Sequence, residues 1–372
     1  MNILVLNSIL YTANSKNVHP VKTIKDTLLY NQCLGFVNRG HHVTLIAAEE
    51  FKPTEDTLFD FEILFFKSYY KSVFNPHLIP YHKKLYSFLQ KNKNNYDLII
   101  SSECFSLNSL IASVICPEKL IIWQELAAHN RKIKKIPSKL WYNTIVRSLM
   151  KNVTIVPRSL HAQKFISKFS SGVTHEIIGH GANIDKFKIN RDKTKQFITI
   201  GQLIPRKNIE SIIRIFDRFL TAYADDEFKL YIAGKGELES KLKGLVKTLH
   251  REKNIFFTGH LSHEELNSLM GASIACLVNT LQDNNMVCIT ESILCATPVL
   301  TNNIPYNSHR IIEKNLGIVK DNWDETDLIN IIDNLKKYIE NCVEYRNSIS
   351  TEAIADSFTG IYQKYILPKT EK

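Results

Sequence analysis

The chain has 372 residues, of which 44% are hydrophobic and 23% charged, and its net charge is +10. That length exceeds one ordinary core and suits two domains of roughly 150 to 200 residues, and the composition excludes wholesale disorder. No apolar run approaches the roughly 18 residues that span a bilayer, and the start, MNILVLNSIL, lacks the basic region and small-residue site of a leader, so a cytoplasmic chain is expected.

Strands and helices alternate along the sequence. Ile3 to Asn7 reads as a first strand, Lys22 to Asn38 has helical spacing (Ile24, Leu28, Leu29, Cys33, Leu34, Val37) and stops at Gly40, and His42 to Ala47 is the next strand. Together they make a βαβ unit. Apolar runs at Leu98 to Ser101, Leu120 to Trp123 and Val153 to Val156 add strands, with helices between them. In the second half, FITI leads into Gly201-Gln202-Leu203-Ile204-Pro205-Arg206-Lys207-Asn208 and the start of a helix, and Tyr231-Ile232-Ala233-Gly234-Lys235-Gly236 is again a strand ending in a glycine turn. Glycine lets the backbone turn tightly, and two cations beside a helix N-terminus suit a phosphate or diphosphate. Asp283 to Val299, DNNMVCITESILCATPV, follows with two acids eight positions apart and then a small-residue-Pro-Val run. After residue 350, Ile354, Phe358, Ile361, Tyr362 and Tyr365 define an amphipathic helix. The seven cysteines (33, 104, 116, 276, 288, 295 and 342) form no C-x-x-C pair and read as core residues of a reducing compartment, with no metal site implied.

Charge is uneven. Residues 1–180 hold 22 Lys+Arg against 12 Asp+Glu, whereas residues 181–372 hold 25 of each, so the whole net charge belongs to the first half. Two stretches there, Phe65 to Lys93 and Arg131 to Lys151, mix cations with aromatic and aliphatic residues. Such stretches attract anionic lipid headgroups while apolar side chains enter the interface. A solvated helix face is the competing reading and stays open. Nucleic acid is not an expected partner, because no helix-turn-helix, zinc-ligand or RNA-binding aromatic motif is present.

The order G-x-L-x-x-x-K, then A-G-x-G, then F-x-G (Phe257-Thr258-Gly259), then acid-x7-Glu with a small-residue-Pro-Val segment resembles the second domain of retaining glycosyltransferase family 4. The resemblance implies the GT-B fold: α/β, with two Rossmann-like parallel-sheet domains facing across a cleft that holds a nucleotide sugar. On that reading residues 1–180, with a crossover helix at about 352–372, form the acceptor-binding domain. Residues 181–351 form the nucleotide-sugar-binding domain, with a linker at His180-Gly181-Ala182-Asn183-Ile184-Asp185-Lys186-Phe187.

The site follows from the same resemblance. Lys207 aligns with the cation that holds the diphosphate, Gln202 stands where an Arg is usual, and Arg206 is placed to compensate. Cations and amides there meet the charge that accumulates as the sugar–phosphate bond breaks. Asp283 takes the place of the acid that binds sugar hydroxyls, and Glu291 that of the acid that binds the ribose, each able to accept two hydroxyl protons. Asn284, Asn285 and Met286 replace a glycine-rich trio, and Asn tolerates the left-handed backbone such a turn needs. Gly201, Gly234, Gly236, His260, Thr290 and Ser292 complete the expected donor site. In the first domain, Gln124, Glu125 or His129 falls where the family has a histidine that reaches the donor sugar; Glu125 is the candidate for catalysis, and His180 lies in a loop facing the expected cleft. The loop Ser8 to Lys22 lacks the family's paired glycines.

The implied reaction is transfer of a hexosyl or N-acetylhexosaminyl group, with retention, from a nucleotide-diphosphate sugar, a UDP-sugar being the expected donor, to a hydroxyl of a glycan or polyprenyl-linked glycolipid in cell-surface polysaccharide synthesis. A front-face attack assisted by the leaving phosphate is expected, with no cofactor or metal, and with peripheral association of the N-terminal domain at the inner membrane face. Two other readings remain: a nucleotide-sugar 2-epimerase of the same fold, and a non-catalytic sugar-binding partner subunit.

Overall fold

In the computed structural model, residues 1–12, 18–55, 58–129, 135–283 and 285–370 are described. The chain divides into two compact units, Met1–Asn183 with Ser350–Lys372, and Ile184–Ile349. Each is built on a six-stranded sheet in which every pairing is parallel.

The first unit starts with β1 (Asn2–Leu6), α1 (Leu28–Asn38), β2 (His42–Ala48), β3 (Glu62–Phe66), α2 (Lys83–Asn92), β4 (Leu98–Ser102), α3 (Leu107–Ile115) and β5 (Leu120–Gln124). Then come α4 (Ile136–Trp141), which runs through a π-helical stretch, Tyr142–Val146, into a last turn, α5 (Arg147–Leu149), followed by β6 (Thr154–Pro157) and α6 (Leu160–Ile166). Strand order is β3-β2-β1-β4-β5-β6. Successive side chains of a strand face opposite ways. Ile3 and Val5 of β1 therefore enter one core with Tyr30 and Phe36 of α1, while Leu4 and Leu6 enter another with Leu85, Leu89, Tyr142 and Val146. A sheet buried on both faces explains the unbroken apolar runs in the sequence.

The second unit carries β7 (Gln196–Ile200), α7 (Ile209–Tyr223), β8 (Lys229–Ala233), α8 (Glu239–Thr248), β9 (Ile255–Gly259), α9 (His263–Ala272), β10 (Ala275–Leu277), α10 (Val287–Leu294), β11 (Val299–Thr301), α11 (Ser308–Lys314), β12 (Gly317–Val319), α12 (Glu325–Asp333) and α13 (Leu335–Tyr345). Its strand order, β12-β11-β10-β7-β8-β9, is the mirror listing of the same pattern, first strand beside fourth. The chain then returns to the first unit as α14 (Thr351–Ile361), capped by Ser350 and packed on α1, with Phe358 meeting Phe36 and Trp123 at ring separations of 5.8 and 5.3 Å.

Two local expectations are corrected and a third is met. The first helix begins at Leu28 and not at Lys22, because Thr27 caps it: its hydroxyl accepts from the Tyr30 N–H while donating to the Ile24 carbonyl. The Phe65 to Lys93 stretch is no single amphipathic segment, since Phe65 and Phe66 end strand β3 against β2. The helix expected to open from the Gly201 to Asn208 segment starts at Ile209, after a 3-10 turn, Pro205–Lys207, with Asn208 in the left-handed region at φ 51°.

Candidate functional site

In an open parallel sheet, ligands bind beyond the strand C-termini where the order reverses. In the second unit that point lies between β7 and β10, and the candidate residues flank it: Arg206 and Lys207 follow β7, while Asp283 and Glu291 follow β10.

The turns after β7, β8 and β9 are stitched together by backbone. The Gly201 N–H donates to the Ala233 carbonyl, the Gly234 N–H to the Gly259 carbonyl and the Leu203 N–H to the Lys235 carbonyl, at 3.0, 2.8 and 3.0 Å. This close approach requires bare Cα atoms. A Cβ on Gly234 would lie 2.0 Å from the Gly201 carbonyl oxygen, and one on Gly236 would lie 2.4 Å from that of Leu203. The stem of Lys207 lies over the Gly201 Cα position, which leads its ammonium to the loop after β10.

There Lys207 Nζ meets Asp283 Oδ2 at 2.6 Å and Arg206 Nη1 meets Asp283 Oδ1 at 2.9 Å. Burial raises the proton affinity of Asp283, but the Lys207 bond and charge, the Thr280 hydroxyl and Arg206 outweigh it and hold the carboxyl below its usual range. The Thr280 hydroxyl fixes the geometry, sharing its one proton between Asp283 Oδ2 at 2.9 Å and the Arg206 carbonyl at 3.0 Å. The Thr280 carbonyl is itself held by Asn302 Nδ2 at 2.7 Å. Two cations against one anion leave a local excess of positive charge, suited to a group with more than one negative charge.

Glu291 sits on the second turn of α10, half-buried, and its carboxylate has no hydrogen-bond or ion-pair partner among the described residues. Burial pushes its carboxyl up to about 7. Met286 caps α10, and its backbone is pinned by Asn307, which accepts from the Met286 N–H and donates to its carbonyl at 3.1 and 2.8 Å. Thr290 is half-buried, whereas Ser292 is buried and its hydroxyl donates to the Thr297 carbonyl within the core, which corrects its placement in the donor site. Gln202 and His260 are exposed, Asn285 is half-buried, and Asn284 lies outside the described residues.

The first unit carries a second polar cluster, at the C-terminal ends of β4, β5 and β6. Glu125 pairs with Arg158 Nη1 at 2.9 Å and His180 Nε2 at 3.4 Å. Burial opposes its ionisation, but the His180 bond and the Arg158 charge bring Glu125 down to about 2. The Arg158 guanidinium carbon lies over Trp123, 3.7 Å from the ring centre. Glu103, held at φ 66°, accepts from the Glu125 and Leu126 N–H groups at 2.8 and 3.2 Å, and burial pushes it up to about 7 against the Arg158 charge. Gln124 is buried and spent on the Cys104 N–H, the Leu126 carbonyl and the Tyr142 hydroxyl. His129 packs among the Tyr142, Phe165 and Phe169 rings. Of the three residues considered for the histidine's place, Glu125 presents a charged group.

Sequence reasoning missed Thr280, Asn302, Asn307, Glu103 and Arg158. Thr280 had a signal, since a Thr three residues before an acid in a loop commonly folds its hydroxyl back on the backbone. Glu103 and Arg158 had one too, as charges directly ending buried parallel strands. Asn302 and Asn307 act through distant backbone that a sequence does not display.

Comparison with known proteins locates this geometry. Residues 182–355 match the family model of glycosyl transferases group 1. That stretch, just under half of the chain, contains all of the β7 to β10 site. A curated Haemophilus influenzae protein, described as an uncharacterized glycosyltransferase, is 24% identical over 221 residues, 58% of this chain and 59% of that protein. The chain thus spans about six-tenths of the length of the curated relative it matches. Among solved structures, Anabaena HepE in complex with UDP superposes with a TM-score of 0.65 at 12% identity, covering 98% of this chain and all of that one. The lipopolysaccharide outer core galactosyltransferase WaaB, in its apo form, gives 0.66 at 12% identity with the same coverage. At such identity the likeness shows the fold, which is GT-B.

Proposed function

We propose that this chain is a retaining glycosyltransferase of family 4 that moves a hexosyl or N-acetylhexosaminyl group from a UDP-sugar to a hydroxyl of a glycan or polyprenyl-linked glycolipid, in cell-surface polysaccharide synthesis. The observation that carries the reading is the Arg206–Lys207–Asp283 cluster at the switch point, inside the stretch that matches glycosyl transferases group 1. The UDP bound to HepE supports the choice of nucleotide.

A diphosphate entering the switch point competes with Asp283 for Lys207 and Arg206. As it takes them, the Asp283 carboxylate becomes available to sugar hydroxyls, so binding the charged end readies the group that orients the sugar. Lys207 and Arg206 then meet the charge gathering on the leaving diphosphate, where fixed cations lower the barrier most. No resident metal is part of the proposal. Glu291, without a partner, accepts the ribose hydroxyls. In the first unit Glu125, kept ionised by Arg158 and His180, is the group for an acceptor hydroxyl. Attack from the face of the departing phosphate, with the phosphate taking the acceptor proton, gives retention. The acceptor is anchored at a membrane that the basic first unit meets.

The test is incubation with a panel of UDP-, GDP- and ADP-sugars, with sugar release and transfer followed by product analysis. Donor turnover that disappears in Lys207→Ala and Glu291→Ala supports the reading. Formation of an epimer without transfer would replace it with 2-epimerase activity, and binding without any turnover would leave a sugar-binding subunit.

A further inference from the structure

Between Glu125 and Glu176 the sequence has ten Lys and Arg residues and no acid, a run equal to the net charge of the entire chain. Six of those cations (Lys135, Lys139, Arg147, Lys151, Lys164 and Lys168) lie on or beside α4, α5 and α6, are exposed, and pair with no carboxylate among the described residues. Elsewhere cations are commonly paired, as Lys71 is with Glu50, Arg39 with Asp356 and Arg191 with Glu340. The cations also converge. Arg147 donates to the Lys168 carbonyl at 3.0 Å, which brings α5 and the end of α6 together. Burial and then the charges of Lys139, Lys135 and Lys168 all depress the proton affinity of the one His129 ring.

The same face is apolar where a purely solvated helix would be polar. Tyr142, Val146 and Met150 turn into the core and anchor the helix, while Ile136 and Leu140, one turn apart, are 76% and 65% exposed on the other side, each directly beside a lysine. The Phe65 to Lys93 stretch also exposes Tyr70, Val73 and Tyr86, at 67%, 74% and 51%, but it is interrupted by strand β3 and its Lys71 is paired with Glu50, whereas the α4 to α6 run contains no acid. We infer that the face formed by α4, α5 and α6 docks on the surface of an anionic lipid bilayer, with Lys135, Lys139, Arg147 and Lys168 among the phosphate headgroups and Ile136 and Leu140 inserted at the acyl boundary. Complementary charge selects the partner. Water-exposed Ile136 and Leu140 select a lipid surface over a soluble polyanion, which offers them nothing to enter. No described helix is long and apolar enough to cross a membrane, so this contact is peripheral.

This inference rests on the reading of a membrane-anchored acceptor, but its test measures binding alone, so its failure leaves the donor chemistry untouched. The full chain is floated with vesicles of phosphatidylcholine and with an equal mixture of phosphatidylcholine and phosphatidylglycerol, at rising salt. Heparin binding is measured in parallel. Flotation with the mixed vesicles only, weakening with salt, is expected. Each cation near an anionic surface is worth roughly a fivefold change, so Lys135→Glu with Lys139→Glu should lower the bound fraction by more than about tenfold. Ile136→Ser with Leu140→Ser should lower vesicle binding while leaving heparin binding and melting temperature unchanged, these positions being exposed. Equal flotation with neutral vesicles, or lysine variants that float as the parent does, would overturn the proposal. Apolar variants unchanged on vesicles would assign the face to soluble polyanions instead.

Discussion

Glu291 is where stability and function oppose each other. A carboxyl held at about 7 in the folded chain and near 4.5 when free binds its proton more tightly when folded. The stability this contributes is therefore full below about pH 4.5 and lost as pH rises through 7. The cost at higher pH is on the order of 3 kcal/mol. Glu291→Gln removes the ionisation, so thermal melting at pH 8 should show the variant more stable than the parent, with no advantage at pH 4. Nucleotide binding should move the opposite way: in the parent it strengthens as pH rises through 7, because the ionised carboxylate accepts ribose hydroxyls, and in the variant it is weak and flat with pH. A parent affinity that falls over that interval would remove Glu291 from the site. Asp283→Asn separates two further roles. It frees Lys207 and Arg206 from their anion, so UDP should bind several-fold tighter by calorimetry while sugar transfer falls.

At the scale of elements, the close backbone packing of the glycine turns sets what the site tolerates. Gly234→Ala places a Cβ at 2.0 Å from the Gly201 carbonyl oxygen at a φ of 142°, and should destabilise the second unit by about 3 kcal/mol or more and distort the Lys207 turn. Gly244→Ala, in the exposed interior of α8 with nothing within 4 Å, should stabilise by about 0.5–1 kcal/mol. Denaturant melts of the two variants check the contrast; equal effects would show that the turns are not packed as described.

These elements also show what a sequence displays. Strands buried on both faces were legible as apolar runs, and glycines at strand ends as turns, so the α/β class and the Lys207 and Asp283 segments could be read directly. The start of the first helix was less legible, because Thr27 acts through a hydroxyl bond that apolar periodicity does not encode. The Asp283–Lys207 pair and the Glu103 carboxylate under the β5 loop depend on contacts 76 and about 22 residues apart in sequence, set by the crossovers of the sheet. Ser292 fell one residue from Glu291 in a promising motif, yet one residue on a helix turns the side chain by about 100° and into the core.

The whole molecule repeats one topology twice, and its last segment completes the first copy. Ile354, Ala355, Phe358, Ile361 and Ile366 are buried in the same core as β1, β2 and α1. The first unit is therefore made from both ends of the chain. Phe358→Ala, removing a ring 1% exposed, should cost about 3–5 kcal/mol by denaturant melting. A change near zero would mean that the C-terminal helix is an appendage. The same architecture places a cation cluster and a free carboxylate on the second unit at its switch point, which is the central claim. Isothermal calorimetry of UDP against the parent and Lys207→Ala tests it most directly: the account predicts one site per chain, weakened about tenfold or more by loss of a charge-assisted bond. A parent that binds no UDP, GDP or ADP, or a variant that binds UDP as tightly as the parent, would contradict it.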